Sequence, residues 1–216
     1  MDLDPRSLCV YVLTSGDLSG RSHEDVAAAA LEGGATAVQL RAPELTDEEL
    51  LPIARRIAAG CRRTGVLFVV NDRLGVAEAC AADGVHVGQD RDPHEVRRLV
   101  GPGRVLGVSV GDAAEGRAAE TAGADYLGVT VWPSTTKPEA SAQGLKGLIE
   151  VVAAVSVPVV GIGGIGPANA GEVLAAGAAG VAVISAIAAA QEPVEAVRDL
   201  RRTVDAVRAI EEARRG

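Results

Sequence analysis

The sequence predicts an α/β protein folded as a single (β/α)8 TIM barrel over residues 1–216, and three observations predict it. Eight short apolar runs alternate with eight helical patterns from end to end. Hydrophobic residues make up 48% of the chain and aromatics only 2%, so Ala, Val, Leu and Ile must build the core, as suits parallel strands buried on both faces. A weak internal repeat joins them: Gly34-Ala35-Thr36-Ala37-Val38, Ala82-Asp83-Gly84-Val85-His86, Gly123-Ala124-Asp125-Tyr126-Leu127 and Gly177-Ala178-Ala179-Gly180-Val181. Each ends an Ala-rich helix and opens an even-numbered strand. Glycine there stops the helix in a left-handed cap, and alanine lets helix and strand approach closely. Barrels of this kind take about 250 residues, so a chain of 216 must use short loops.

The strands are expected at Leu8–Leu13, Ala37–Arg41, Leu67–Asn71, Gly84–Val87, Val105–Ser109, Tyr126–Val129, Val159–Ile162 and Gly180–Ile184, each short and rich in Val, Leu or Ile. The helices between them are expected at Glu24–Glu32, Asp47–Arg63, Leu74–Ala81, Pro93–Val100, Ala113–Ala122, Leu145–Ala154, Ala168–Ala176 and Pro193–Arg214. Thr46 with Glu49 reads as a capping box. Asp92-Pro93 reads as a cap followed by a helix-starting proline.

The net charge of −8 argues against a general nucleic-acid binder, which needs a basic face. Cys9, Cys61 and Cys80 are odd in number and lack CxxC spacing, so they read as small buried hydrophobes in a reducing cytoplasm. No signal peptide or membrane-spanning run is expected, and the last helix reads as amphipathic and solvated. A homo-oligomer is left open.

In a barrel the carboxyl ends of the strands carry the active site, and polar residues gather at those ends here. They are Gln39-Leu40-Arg41, Asn71-Asp72, His86 with Gln89-Asp90, Ser109, Ser134-Thr135-Thr136-Lys137, the glycine run Gly161-Ile162-Gly163-Gly164-Ile165-Gly166, and Ser185. The glycine run formally matches GxGxxG, but it follows six strands and has no acidic residue at the spacing a dinucleotide site needs. It reads instead as the barrel phosphate site, with Gly163 and Gly164 letting backbone N–H groups approach an anion and Ser185 adding donors. Asp72 suits one ligand of a hard cation such as Mg2+, and equally an N-cap for the next helix. Arg41 offers a fork to phosphate oxygens. Lys137 is one of only two lysines, which favours a role over a chance surface position. His86 reads as a pocket-wall histidine, and His23 and His94 as surface residues at helix starts.

These pieces resemble the thiamine-phosphate synthases and their sister group, the thiazole tautomerases. The ordered set is Gln39-Leu40-Arg41, Val70-Asn71-Asp72, Asp83-Gly84-Val85-His86-Val87-Gly88-Gln89, Gly107-Val108-Ser109, Asp125-Tyr126-Leu127-Gly128, Thr135-Thr136-Lys137, Gln143-Gly144, Val160 through Ile165 and Val183 through Ile187. The resemblance implies a reaction in which hydroxymethylpyrimidine diphosphate loses pyrophosphate and the nitrogen of hydroxyethylthiazole phosphate takes up the freed methylene carbon. It implies that Mg2+, Arg41, Asn71, Ser109 and Lys137 stabilise the leaving group. Gln39 would orient the pyrimidine, with His86 in its wall. Ser134 and Thr136 would hold the thiazole phosphate, with backbone contacts from Gly163, Gly164, Ile184 and Ser185. Three features depart from the family pattern. Pro43 stands where the synthases usually carry Lys. Arg91 stands where they usually carry the second metal carboxylate, which leaves flanking Asp90 and Asp92 as candidates, or Arg91 itself in place of the metal's charge. The loop Val129–Pro133 is one residue short. The alternatives are a thiazole tautomerase, which needs no metal but usually has His after the strand-five Ser, where this chain has Val110, and a non-catalytic thiazole or thiamine phosphate-binding barrel.

Overall fold

The computed structural model describes residues 3–15, 18, 20–134 and 141–215, without the side chains of 211, 212, 214 and 215. Its strands are β1 (Val10–Leu13), β2 (Ala37–Leu40), β3 (Leu67–Asn71), β4 (Gly84–Val87), β5 (Val105–Ser109), β6 (Tyr126–Thr130), β7 (Val159–Ile162) and β8 (Gly180–Val183). They close into a barrel in chain order, all parallel, with β8 returning to β1 through Val12 opposite Val183. The helices are α1 (His23–Gly33), α2 (Asp47–Thr64), α3 (Leu74–Ala79), α4 (Pro93–Val100), α5 (Ala113–Thr121), α6 (Gly144–Ala154), α7 (Ala170–Ala175), α8 (Ser185–Ala188) and α9 (Pro193–Arg215).

The side-chain period of two along each strand divides the core into two layers. Tyr11, Leu13, Ala37, Val69, Val105, Tyr126, Val160 and Ala182 point inward and pack together. Val10, Val12, Val38, Leu40, Val70, Val85, Leu106, Leu127 and Val181 point outward against the helices. The expected elements are present, with differences at their ends. Leu8 closes a 3-10 turn, Pro5–Leu8, capped by the Asp4 carboxylate, and so precedes β1. Ile184 leaves β8 to cap the short helix α8. α7 starts at Ala170 because the Asn169 carboxamide is used on the preceding loop, accepting from Gly166 N–H and donating to Gly164 C=O.

Helix termini follow their local chemistry. Ser22 with Asp25, and Thr46 with Glu49, form capping boxes on α1 and α2. In the repeat, Gly34, Gly123 and Gly177 adopt left-handed φ values of 92°, 91° and 96°. The equivalent residue before β4 is Ala81, held at φ 52° without a glycine's freedom. His23 departs from expectation. It is buried at 5% exposure, because Nδ1 reaches Thr14 Oγ1 at 2.9 Å and Nε2 reaches Glu44 at 3.2 Å. Thr14 Oγ1 also accepts from the Arg41 N–H, so the buried Thr14–His23 pair, tied to Glu44 at the surface, holds the backbone at the end of β2.

Candidate active site

Strand parity and register bring the polar ends together. Asn71 pairs with His86 across β3 and β4, and Ser109 with Gly128 across β5 and β6. Three adjoining cavities open at this mouth. The inner one is walled by Tyr11, Gln39, Asn71, His86, Ser109 and Gly128, with Leu13, Val160, Ile162 and Ala182 as its apolar side. A wider one of about 310 Å³ shares Asn71, His86 and Ser109 and adds Arg41, Asp72, Gly88, Gln89, Asp90 and Thr130. The third lies across Thr130 and Ile162, between Ser134, Gly163, Gly164, Ile184 and Ser185.

The inner cavity is lined by a line of hydrogen bonds. Gln39 Nε2 donates to Tyr11 Oη at 2.7 Å, the Tyr11 and Tyr126 hydroxyls are 2.8 Å apart, and Tyr126 Oη lies 3.0 Å from His86 Nδ1. His86 Nε2 then meets Ser109 Oγ at 2.9 Å. Two strand glycines make this line possible. A Cβ on Gly107 would overlap the Tyr126 ring and its hydroxyl, and one on Gly128 would come within 3.2 Å of His86 Cε1. Burial pushes both phenols well above their ordinary pKa range, so both remain O–H groups at neutral pH.

Asp72 sits at a left-handed φ of 58°, tolerated by a short polar side chain. Its carboxylate accepts from the Asn71 amide and from Gly88 N–H at 3.3 Å. Asp90 Oδ1 packs against the same glycine, 2.7 Å from where a Cβ would stand. Two carboxylates therefore converge on Gly88 at the rim. Asp92 does not join them, because its carboxylate caps α4 through His94 N–H at 3.0 Å. On the opposite rim, Gly163 and Gly164 both have positive φ, and a Cβ on Gly163 would collide with the Trp132 carbonyl. Only glycine fits at Gly163, so this stretch of the loop has no side chain to fill the cavity it shares with Ser134 and Ser185.

The mouth thus unites Gln39, Arg41, Asn71, Asp72, His86, Asp90, Ser109, Ser134, Gly163, Gly164, Ile184 and Ser185. Thr136 and Lys137 lie outside the described residues. Pro43 and Arg91 are exposed. Sequence reasoning missed Tyr11, Tyr126 and Thr130. A signal existed for the first two: the chain has only two tyrosines, and each stands in its strand at the inward parity.

Comparison with known proteins identifies the family. The family model for thiamine monophosphate synthase matches residues 10–187. The thiamine-phosphate synthase of Solidesulfovibrio magneticus is 48% identical over 148 residues, 67% of this chain and 70% of that protein. A probable thiamine biosynthetic bifunctional enzyme of rice is 43% identical over 155 residues, covering 69% of this chain but only 28% of the larger protein. The solved thiamine phosphate pyrophosphorylase of Pyrococcus furiosus superposes with a TM-score of 0.88 at 40% identity, covering 94% of this chain and 98% of that one. The chain belongs to the thiamine monophosphate synthase family.

Proposed function

We propose that this chain is a thiamine-phosphate synthase, joining hydroxymethylpyrimidine diphosphate to hydroxyethylthiazole phosphate with release of pyrophosphate. One observation carries the reading: a polar aromatic-walled pocket, a rim with two carboxylates, and a glycine-lined anion pocket adjoin in one mouth. Each matches one part of the reaction. Gln39 and His86 line the pocket for the pyrimidine. The diphosphate extends towards Arg41, Asn71 and Ser109, whose N–H and O–H donors stabilise charge as the C–O bond breaks. The thiazole phosphate lies on Gly163, Gly164, Ile184 and Ser185 with Ser134, which aims the thiazole nitrogen at the freed methylene carbon. Lys137 and Thr136 complete the leaving-group and phosphate contacts in this reading.

The donor set fits Mg2+. A hard cation of this size is bound by one or two carboxylates plus phosphate oxygens, and Asp72 and Asp90 converge at Gly88 beside Arg41. Asp72 and Asp90 would hold the ion, which supplies charge neutralisation to the departing diphosphate. Substrate phosphate oxygens and water would complete the ion's shell; no group of three or more His, Cys, Asp or Glu residues suited to a metal occurs among the described residues. Among them, too, no helix is long and apolar enough to cross a membrane. The buried, unpaired Cys9, Cys61 and Cys80 support placement in a reducing cytoplasm.

The test is thiamine phosphate formation by purified protein with saturating substrates, with and without EDTA. Product formation that stops with chelator and returns with Mg2+ is expected. No product under any condition overturns the synthase reading, and turnover indifferent to EDTA overturns the metal role.

A further inference from the structure

The line from Gln39 to Ser109 has a direction. Each phenol owns one hydrogen, and a neutral imidazole owns one. If Gln39 donates from Nε2, Tyr11 donates to Tyr126 and Tyr126 to His86 Nδ1. The ring proton then sits on Nε2 and is donated to Ser109 Oγ, so the Ser109 hydrogen is free to point into the mouth. If Gln39 accepts instead, every hydrogen reverses. Tyr11 donates to Gln39, His86 carries its proton on Nδ1, and Ser109 donates to His86.

The other end of the Gln39 amide chooses between these states. Gln39 is 2% exposed, and its Oε1 is buried with no hydrogen-bond partner among the described residues, in a side chain that lines the inner cavity. A buried acceptor left bare is unfavourable, so a ligand N–H donor that meets Oε1 holds the amide with Nε2 towards Tyr11.

We propose that Tyr11 and Tyr126 are positioning residues that couple pyrimidine binding to leaving-group stabilisation. An N–H donor accepted by Gln39 Oε1 fixes His86 as the Nε2–H tautomer and frees the Ser109 hydroxyl hydrogen for the diphosphate. This rests on the reading of the mouth as a pyrimidine diphosphate site. Proton count does not change: one leaves Nδ1 and one arrives at Nε2, exchanged through solvent at the half-buried ring. Burial keeps both tyrosines protonated, so the line relays orientation and not charge.

The test is 15N NMR of histidine-labelled protein at neutral pH, with His86 identified among the chain's three histidines by His86→Gln. The probe is the free 4-amino-5-hydroxymethyl-2-methylpyrimidine, with its 4-methyl analogue, which lacks the amine, as control. With the amine, Nδ1 should take the shift of an unprotonated ring nitrogen and Nε2 that of a protonated one, and the analogue should not impose this state. Tyr126→Phe and Tyr11→Phe should each bind the amine but lose the tautomer response. Their coupling kcat should fall about tenfold, with KM for the thiazole phosphate unchanged. A bound wild-type His86 carrying its proton on Nδ1 would overturn the inference even if coupling proceeds. So would a Tyr126→Phe protein with wild-type kcat and tautomer. If the pyrimidine does not bind at millimolar concentration, the pyrimidine reading and the inference fall together. The wild-type spectrum decides alone if either variant fails to fold.

Discussion

Gly107 lies where Tyr126 needs space: a Cβ on the glycine would overlap the tyrosine ring and hydroxyl and come within 2.5 Å of His86 Nδ1. Gly107 and Tyr126 also face each other in the β5–β6 register. The tyrosine is completely buried in the barrel and cannot rotate away without leaving a void.

Gly107→Ala should therefore destabilise the fold and damage the site together. Overpacking a rigid core contact costs about 1–3 kcal/mol, or a fall in Tm of roughly 2–12 °C for a chain of this size. Tyr126 and His86 must shift, so coupling activity should fall even at temperatures where the protein is folded. Thermal unfolding and steady-state kinetics on the same sample check both. Unchanged Tm and unchanged kcat would show that the tyrosine has another place to go.

Asp72→Asn isolates the charge from the geometry. Asn tolerates the left-handed φ of 58°, its carbonyl can still accept from Gly88 N–H, and its NH2 can donate to the Asn71 carbonyl once that amide turns over. The variant should fold normally. Coupling should drop on the order of 10²-fold, and half-saturating Mg2+ should rise about tenfold or more. A Mg2+ titration of activity measures both. Near-normal turnover at low Mg2+ would remove Asp72 from metal binding and leave it the role of shaping the β3–α3 turn.

The barrel was legible in the sequence because strand and helix periods alternate without ambiguity, and because glycine-alanine junctions mark the ends of helices. The rim residues were legible too, since Asn71, Ser109 and Ser185 are polar groups at the ends of apolar runs. The interior line was not. Tyr11 lies within β1 and Tyr126 opens β6, where an aromatic residue reads as core, and their hydroxyls meet only because register sets β1 and β6 across the barrel. His23 was misjudged for a similar reason: its partners Thr14 and Glu44 come from other loops, and nothing local marks it as buried. Asp92 was ambiguous as cap or ligand, and the cap prevailed because α4 begins with its unpaired N–H groups directly beside that carboxylate.

Ala81 offers a stabilising change. It is exposed, at a left-handed φ of 52°, where the other three repeats carry glycine. The strain of an L residue there is about 1–2 kcal/mol, partly offset by the larger unfolded-state entropy of glycine. Ala81→Gly should raise stability by about 0.5–1 kcal/mol, a gain of roughly 1–4 °C in Tm, with no change in activity. A lower Tm would mean that the Ala81 methyl makes contacts worth more than the strain.

Alkaline pH should expose the buried thiols. Burial pushes the Cys61 thiol up to about 12 from an ordinary value of 9.0, and raises Cys9 and Cys80 for the same reason. Below pH 9 these groups hold their protons in both folded and unfolded chains and contribute no pH dependence. Above pH 9 the unfolded chain releases them while the folded chain retains them. The unfolded state then binds fewer protons, so stability falls as pH rises, by up to about 1.4 kcal/mol per pH unit for each thiol. For Cys61 this loss should run from pH 9 to about 12. Denaturant unfolding at stepped pH should show that slope, and Cys61→Ala should flatten part of it, although it also costs packing at every pH. At pH 8 the folded protein should resist alkylation at Cys61 and react only through unfolding, because the thiolate is the nucleophile and the buried group is almost wholly protonated. Rapid labelling of Cys61 in the native protein, faster than global unfolding, would show a local opening of α2 away from β3 and would undo this account of its burial.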